Sequence, residues 1–140
     1  MEGNKGTILY AEDDPNLRRS TLKILGKIFP SHIVQPFEDG SSLELRLKEG
    51  AKGIKLVLLD HNMPGKKGLE IIKEYSRAGN YVGIPFVLYY ADEEHIGFNA
   101  LMEGAFSYLH KNQIETQDFI LTVREALDYA ESHTELTESL

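Results

Sequence analysis

Short apolar runs alternate along the chain with longer stretches in which apolar residues recur at helical spacing. Each apolar run has a length typical of a strand that is buried on both faces of a sheet. The five predicted strands are residues 7–11, 33–37, 56–59, 84–90 and 106–109. Pro36 in the second run predicts an edge position for that strand, because proline cannot donate a ladder hydrogen bond.

A helical pattern follows each predicted strand. The first helix has an unambiguous start, since the acid Asp14 stands at the cap position and Pro15 at the first helical position. The other boundaries follow from glycine and cap residues. We predict helices that end near Pro30, that run from Gly68 to Gly79-Asn80, that run from an Asp92 cap to Gly104, and that span about 117–132.

The stretch after Gly40 allows two interpretations. Leu43, Leu45 and Leu47 alternate with polar residues as they would in a strand. Ser41 and Glu44, however, stand at capping-box spacing, and glycines flank the stretch. We predict a short helix here.

Strand and helix patterns alternate five times, which predicts parallel strands joined by right-handed crossovers, with helices on both faces of the sheet. A chain of 140 residues is a common size for one domain with its own core. We therefore expect an α/β fold in a single domain, residues 1–133. The polar tail, residues 134–140, is expected to fray.

Composition narrows the function classes. The formal net charge of -7 argues against a nucleic-acid-binding surface and against docking to an anionic membrane, so proteins are the expected partners. The chain has no cysteine, which excludes disulfides, a thiolate nucleophile and a cysteine-based zinc site. Neither a signal peptide nor a transmembrane helix is predicted, and a cytoplasmic location is the expectation.

Charged residues follow three of the predicted strands. Glu12 and Asp13 come after the first, Asp60 after the third and Lys111 after the fifth. Ligands of parallel α/β sheets bind beyond the carboxyl ends of the strands, so these side chains are expected to meet there. Carboxylates gathered in this way repel one another unless a cation joins them, and Mg²⁺ is the hard divalent ion that such ligands suit.

Each of these residues alone has an ordinary explanation. Aspartate at a strand end is usually a turn or cap residue, acids before a helix are usually cap partners, and a lone lysine is usually a surface charge. Their joint occurrence at strand ends favours a site.

Three other candidates have ordinary interpretations. His61 has no evident orienting partner for a catalytic role, and GKKG at 65–68 lacks the spacing of a phosphate loop. Tyr89 is predicted to fill the core.

Over nearly its whole length the chain resembles the receiver domain of bacterial two-component response regulators. The matching stretches are ILYAEDDP, LVLLDHNMPGKKG, IPFVLYYA and GAFSYLHK. The resemblance implies a flavodoxin-like doubly wound (βα)5 sandwich with its five parallel strands in the order 2-1-3-4-5. It also implies a signalling domain that catalyses only its own aspartyl phosphorylation and dephosphorylation.

The resemblance assigns roles to matching residues. Asp60 is the implied phosphoacceptor, Glu12 and Asp13 are the acidic pair that holds Mg²⁺, the backbone carbonyl of Asn62 is another metal ligand, and Lys111 contacts the acyl phosphate. The implied phosphodonor is a phosphohistidine on a sensor histidine kinase or a histidine phosphotransfer protein. The implied output is contact with a downstream protein through the fourth helix, fifth strand and last helix. A homodimer stays open, and the last helix carries no feature that specifies one.

Two positions depart from the pattern of the family. Tyr90, followed by the expected small residue Ala91, stands where the family usually has threonine or serine, although the aromatic switch partner is present as Tyr108. A phenol holds its hydroxyl farther from the backbone than threonine does, so Tyr90 is expected to cap the pocket or to point outward. Asn112 replaces the proline that commonly follows the lysine, which puts the reach of Lys111 in question.

Two other functions stay open. A pseudo-receiver would use the same fold for protein contacts without carrying phosphate, as Tyr90 and Asn112 suggest. A magnesium-dependent phosphatase with an aspartyl intermediate ranks last, because such enzymes usually carry a second acid two residues after the nucleophile, where this chain has Asn62. The sequence does not decide between a stand-alone regulator and the receiver part of a longer protein.

Overall fold

The fold is a five-stranded parallel sheet in the order β2-β1-β3-β4-β5, as predicted. The computed structural model describes residues 4–91, 95–113 and 116–139, without the side chains of residues 134–139. Its strands are β1 Thr7–Ala11, β2 Ile33–Phe37, β3 Ile54–Asp60, β4 Phe86–Tyr90 and β5 Ser107–His110. Its α-helices are α1 Pro15–Ile28, α2 Gly40–Lys48, α3 Gly68–Tyr75, α4 Ile96–Met102 and α5 Gln117–Ser139.

Both faces of the sheet are covered by helices, and each face has its own core. On one face β-strand residues pack with Leu25 of α1 and with Phe119 and Val123 of α5. On the other they pack with Leu43 of α2, Ile71 of α3 and further residues of α2 to α4. The near-continuous burial of β3 follows from this double coverage.

Several predicted boundaries shift. The α2 stretch is helical, as predicted, but its cap is Asp39, whose side chain accepts a hydrogen bond from the Ser42 amide at 2.7 Å. The Ser41–Glu44 capping box is therefore wrong. Glu44 instead accepts hydrogen bonds from Lys66 and Tyr75.

Other helix ends also differ from the prediction. The α3 helix stops at Tyr75, and Gly79–Tyr81 form a separate 3-10 turn. The α5 helix continues to Ser139, where the sequence predicted an end near Ser132, because no glycine or proline interrupts it. The predicted Asp92 cap of α4 lies outside the described residues. Among the described residues no helix is long and apolar enough to cross a membrane.

Candidate functional site

The predicted site residues meet at the carboxyl edge of the sheet. Glu12 and Asp13 follow β1, Asp60 ends β3, and Lys111 follows β5. Ala11 of β1 is paired with Leu59 of the neighbouring β3, which brings the acids at the ends of the two strands together. Carboxylate oxygens of Glu12, Asp13 and Asp60 lie within 4.8 Å of one another.

Lys111 points into this acidic cluster. Its Nζ lies 2.9 Å from Asp60 Oδ2 and 3.5 Å from Glu12 Oε1. Lys111 thus reaches the site even though Asn112, and not a proline, follows it. The described part of the chain contains no cis peptide bond. The turn that carries Lys111 is held instead by Gln113, whose Oε1 accepts a hydrogen bond from the His110 amide at 2.9 Å.

Local hydrogen bonds fix the two buried acids. Glu12 Oε2 accepts a hydrogen bond from the Asp14 amide at 2.9 Å, while Asp14 Oδ1 caps α1 by accepting one from the Asn16 amide at 2.9 Å. Asp60 Oδ1 accepts a longer one from the Asn62 amide at 3.3 Å. Each acid thus keeps one oxygen on the backbone and turns the other toward Lys111.

Burial dominates the electrostatics of the site. It raises the pKa of Glu12 to about 7, and repulsion from Asp60 adds to the shift. Burial also raises the pKa of Asp60, although Lys111 opposes the shift. For Lys111, burial alone would lower the pKa, but the neighbouring Asp60 and Glu12 raise it overall, so the ammonium form is favoured.

The donor set fits a hard divalent cation. Glu12 Oε1 and Asp60 Oδ2 are buried and accept no hydrogen bond from any described residue other than the ion-pair partner Lys111. Lys111 thus pairs with two of the three clustered carboxylates, those of Glu12 and Asp60. Carboxylate oxygens at this spacing are ligands that Mg²⁺ prefers, and a second positive charge would relieve their repulsion.

The predicted switch residues lie together on β4 and β5. The ring of Tyr90 is 6.1 Å from that of Tyr108 and 5.5 Å from that of His110, centroid to centroid. Tyr108 also lies against α4, since a Cβ at Gly97 would come within 2.3 Å of its ring. Tyr90 thus packs among the aromatic side chains of β5, and Ala91 follows it as a partly buried residue.

Sequence reasoning missed several contacts of residues at the site and in the loop after β3. The hydroxyl of Tyr89 donates a hydrogen bond to the Ala11 carbonyl, and Lys111 Nζ lies over the Tyr89 ring. Lys66, in the loop after β3, forms ion pairs with Glu44 and Glu74. His61 Nδ1 accepts a hydrogen bond from the Leu69 amide at 3.3 Å, which gives this buried residue a structural role at the start of α3.

The comparisons with known proteins agree with this geometry. The family described as the response regulator receiver domain matches residues 8–124. The chain therefore belongs to that family, whose members are signalling domains of two-component systems. Receiver domains accept a phosphoryl group and interact with kinases and downstream effectors.

Solved structures share the fold at low sequence identity. The signal receiver domain of a DNA-binding response regulator protein from Colwellia psychrerythraea is 17% identical with a TM-score of 0.78, and the match covers 88% of this chain and 98% of that one. A response regulator receiver domain protein from Clostridium thermocellum is 22% identical with a TM-score of 0.73, covering 94% and 98%. No match was found among curated protein sequences.

Proposed function

We propose that this receiver domain takes a phosphoryl group from a phosphohistidine onto Asp60 and signals through protein contacts. The observation that carries the proposal is the meeting of Asp60 with Lys111 and two further acids at one sheet edge. Asp60 is the acceptor in this proposal because its Oδ2 lies 2.9 Å from Lys111 Nζ, nearer than the 3.5 Å of Glu12 Oε1. A cytoplasmic location and one receiver domain over residues 1–133 belong to the same proposal.

The reaction is a displacement at phosphorus. A carboxylate oxygen of Asp60 forms the new P–O bond while the P–N bond to the donor histidine breaks, and the imidazole leaves with the electron pair and takes up a proton. Before the transfer, the ammonium group of Lys111 pairs with Asp60. During the transfer, it pairs with the oxygens of the incoming phosphoryl group. Such transfer depends mainly on positioning and on neutralising oxygen charge, which are the contributions of Lys111.

Magnesium completes the proposed site. Glu12, Asp13 and Asp60 would hold it through carboxylate oxygens, and the backbone carbonyl of Asn62 would be a further ligand. When bound, the ion supplies positive charge that offsets the negative charge of the phosphoryl oxygens. Hydrolysis of the acyl phosphate then returns Asp60 to its resting state slowly. The donor is a histidine kinase or a histidine phosphotransfer protein, and the receiver of the signal is a downstream protein.

Intact mass measurement tests this proposal. We expect incubation with Mg²⁺ and acetyl phosphate to add one labile phosphoryl group to the parent protein. Asp60→Asn should gain none, and Lys111→Ala should gain it more slowly. No gain of mass in the folded parent, with a well-characterised receiver domain labelled in parallel, would contradict the proposal.

A second candidate is a pseudo-receiver whose contacts do not depend on phosphorylation. It is supported by the packing of Tyr90 against Tyr108 and His110, at the position where the family usually has a small hydroxyl residue. The same mass measurement separates the two. A phosphorylated protein whose amide spectrum does not change beyond the immediate site would favour an altered switch over absent chemistry.

A further inference from the structure

Tyr89 lies directly beside the proposed acceptor. It is paired with Asp60 in the register between β4 and β3, and it is fully buried. Its side chain belongs to the core that α1 and α5 cover, together with Tyr10, whose ring centroid is 6.1 Å away. The sequence predicted core filling for Tyr89, and the residue does fill the core.

The hydroxyl of Tyr89 reaches across the sheet. It donates a 2.7 Å hydrogen bond to the backbone carbonyl of Ala11, the last residue of β1. Since β3 lies between β1 and β4, this hydrogen bond links the two strands on either side of the one that carries Asp60. Ala11 directly precedes Glu12, so the bond holds the backbone from which one of the buried acids extends.

The ring of Tyr89 contacts the lysine. Lys111 Nζ lies 5.8 Å from the ring centroid, within the range of a cation–π interaction. The lysine extends from the end of β5, the neighbour of β4 on its other side. The Tyr89 side chain therefore contacts both the backbone next to Glu12 and the side chain of Lys111, and it lies beside Asp60.

We propose that Tyr89 is a positioning residue, whose ring holds Lys111 over the acceptor and whose hydroxyl holds the end of β1 beneath Glu12. This inference deepens the proposed function and rests on it. An aliphatic side chain would fill the same core but would neither attract an ammonium group nor donate a hydrogen bond. The chain has Asn112 in place of the usual proline, so the ring contact supplies a restraint on Lys111 that the loop does not take from a proline.

Paired variants separate positioning from core filling. Tyr89→Phe keeps the ring and loses the hydroxyl, whereas Tyr89→Leu loses both. Tyr81 provides the matched control, because it is a buried tyrosine whose hydroxyl donates to a backbone carbonyl, that of Leu47, at 2.6 Å. It lies in the core of the opposite sheet face, so Tyr81→Phe and Tyr81→Leu lose similar interactions away from Lys111.

Phosphorylation by acetyl phosphate and magnesium binding by calorimetry are measured on each folded variant. We expect Tyr89→Leu to lower the rate constant at saturating Mg²⁺ about tenfold, between the scales of an exposed and a fully desolvated cation–π contact. Tyr89→Phe should keep that rate constant within about twofold and weaken magnesium binding about fivefold, the scale of one hydrogen bond. Both Tyr81 variants should stay within about twofold in each measurement, as their lost contacts lie elsewhere.

A spectroscopic measurement tests the ring contact without phosphate or metal. Side-chain protons of Lys111 should resonate upfield of the other lysines because of the Tyr89 ring current, with Lys111→Arg used for assignment. The shift should persist in Tyr89→Phe and disappear in Tyr89→Leu. Ordinary lysine positions in the parent would overturn the inference.

The two proposals fail in different ways. A parent protein that gains no phosphoryl group counts against the proposed function, while the Lys111 resonances still decide the role of Tyr89. A parent that is phosphorylated, together with a Tyr89→Leu variant of unchanged rate, counts against Tyr89 alone. If Tyr89→Leu does not fold, unchanged magnesium affinity in Tyr89→Phe still overturns the role of the hydroxyl.

Discussion

Tyr90 changes how the end of β4 can respond to a neighbouring phosphoryl group. Its ring lies among aromatic side chains of β5, 5.5 Å from His110 and 6.1 Å from Tyr108. A threonine at this position would keep a hydroxyl close to the backbone, within reach of the end of β3. The phenol carries its hydroxyl farther from the backbone, so a phosphoryl group on Asp60 would lack the usual hydrogen-bond donor on β4.

We expect Tyr90→Thr to enlarge the conformational response to a phosphoryl mimic. The measurement is the change of backbone amide resonances in β4, α4 and β5 on adding beryllofluoride with Mg²⁺. Tyr90→Phe, which keeps the ring, should respond as the parent does. A full and identical response in the parent and in Tyr90→Thr would contradict this expectation.

The charged residues of the site could be predicted from the sequence as a group. Glu12, Asp13, Asp60 and Lys111 each follow a predicted strand, and parallel strands end at one edge. Tyr89 could not be found in that way. Its proposed role depends on a hydrogen bond to the Ala11 carbonyl, two strands away, and on a contact with Lys111, which follows β5. Apolar periodicity in the sequence indicates only that such a residue is buried.

The α2 helix shows what decides between two periodicities. Leu43 and Leu47 are buried and Leu45 is 67% exposed, as expected when residues four apart share a helix face. A strand would have placed all three leucines on one face. The alternating sequence left this open. The Ser41–Glu44 spacing and the flanking glycines favoured the helix, although the cap proved to be Asp39.

We expect Asp39→Ala to lower the free energy of unfolding by about 1 kcal/mol, the usual cost of losing an N-cap side chain. Asp39 accepts hydrogen bonds from both the amide and the hydroxyl of Ser42. Urea unfolding of the parent and the variant gives the difference. Ser41→Ala is the control, since the predicted capping box does not form, and a larger loss in that control would contradict the assignment of the cap.

The contact between α4 and β5 depends on the absence of a side chain at Gly97. A Cβ there would lie 2.3 Å from Tyr108 Cδ2. We expect Gly97→Ala to displace the Tyr108 ring and to lower the unfolding free energy by about 1–3 kcal/mol, as overpacking does. In a double-mutant cycle, Tyr108→Ala should remove most of that loss, and additive effects would show that the two residues are not coupled.

At the scale of the whole molecule, the sheet separates two chemically different ends. The acidic cluster lies at the carboxyl edge, while the amino edge carries Lys5, His32 and Lys55. The layer arrangement was predictable because alternating strand and helix patterns admit few topologies, and the strand order followed from the resemblance to the receiver family. The ends of the helices were less predictable from the sequence. The end of α3 at Tyr75 depends on tertiary packing, and the extension of α5 depends on the lack of a helix breaker.

His32 predicts how stability changes with pH at the amino edge. Burial lowers its pKa below the usual 6.5, the charges of Lys5 and Lys55 act in the same direction, and Glu131 opposes them. The folded protein therefore favours neutral His32 more than the unfolded chain does. The stabilising contribution is full above about pH 6.5 and is lost as the pH falls through the lower pKa of the folded state.

Between about pH 7.5 and 5.5, the range set by the unfolded histidine, protonation of Glu12 changes stability in the opposite direction, so the comparison is between variants. As the pH falls through this range, we expect the urea midpoint of His32→Gln to rise relative to that of the parent. His95→Gln, at an exposed histidine, is the control and should leave the slope unchanged. A slope in His32→Gln equal to that of the parent would contradict the assignment.

The clustering of tyrosines gives the protein a built-in optical reporter. The chain contains seven tyrosines and no tryptophan, so its ultraviolet emission comes from phenol rings alone. Tyr10 and Tyr89 lie in the core beside the acidic cluster, and Tyr90 and Tyr108 form a second pair on β4 and β5. A cation or an anion that enters this edge of the sheet changes the field around these rings, and fluorescence follows the event without any attached dye.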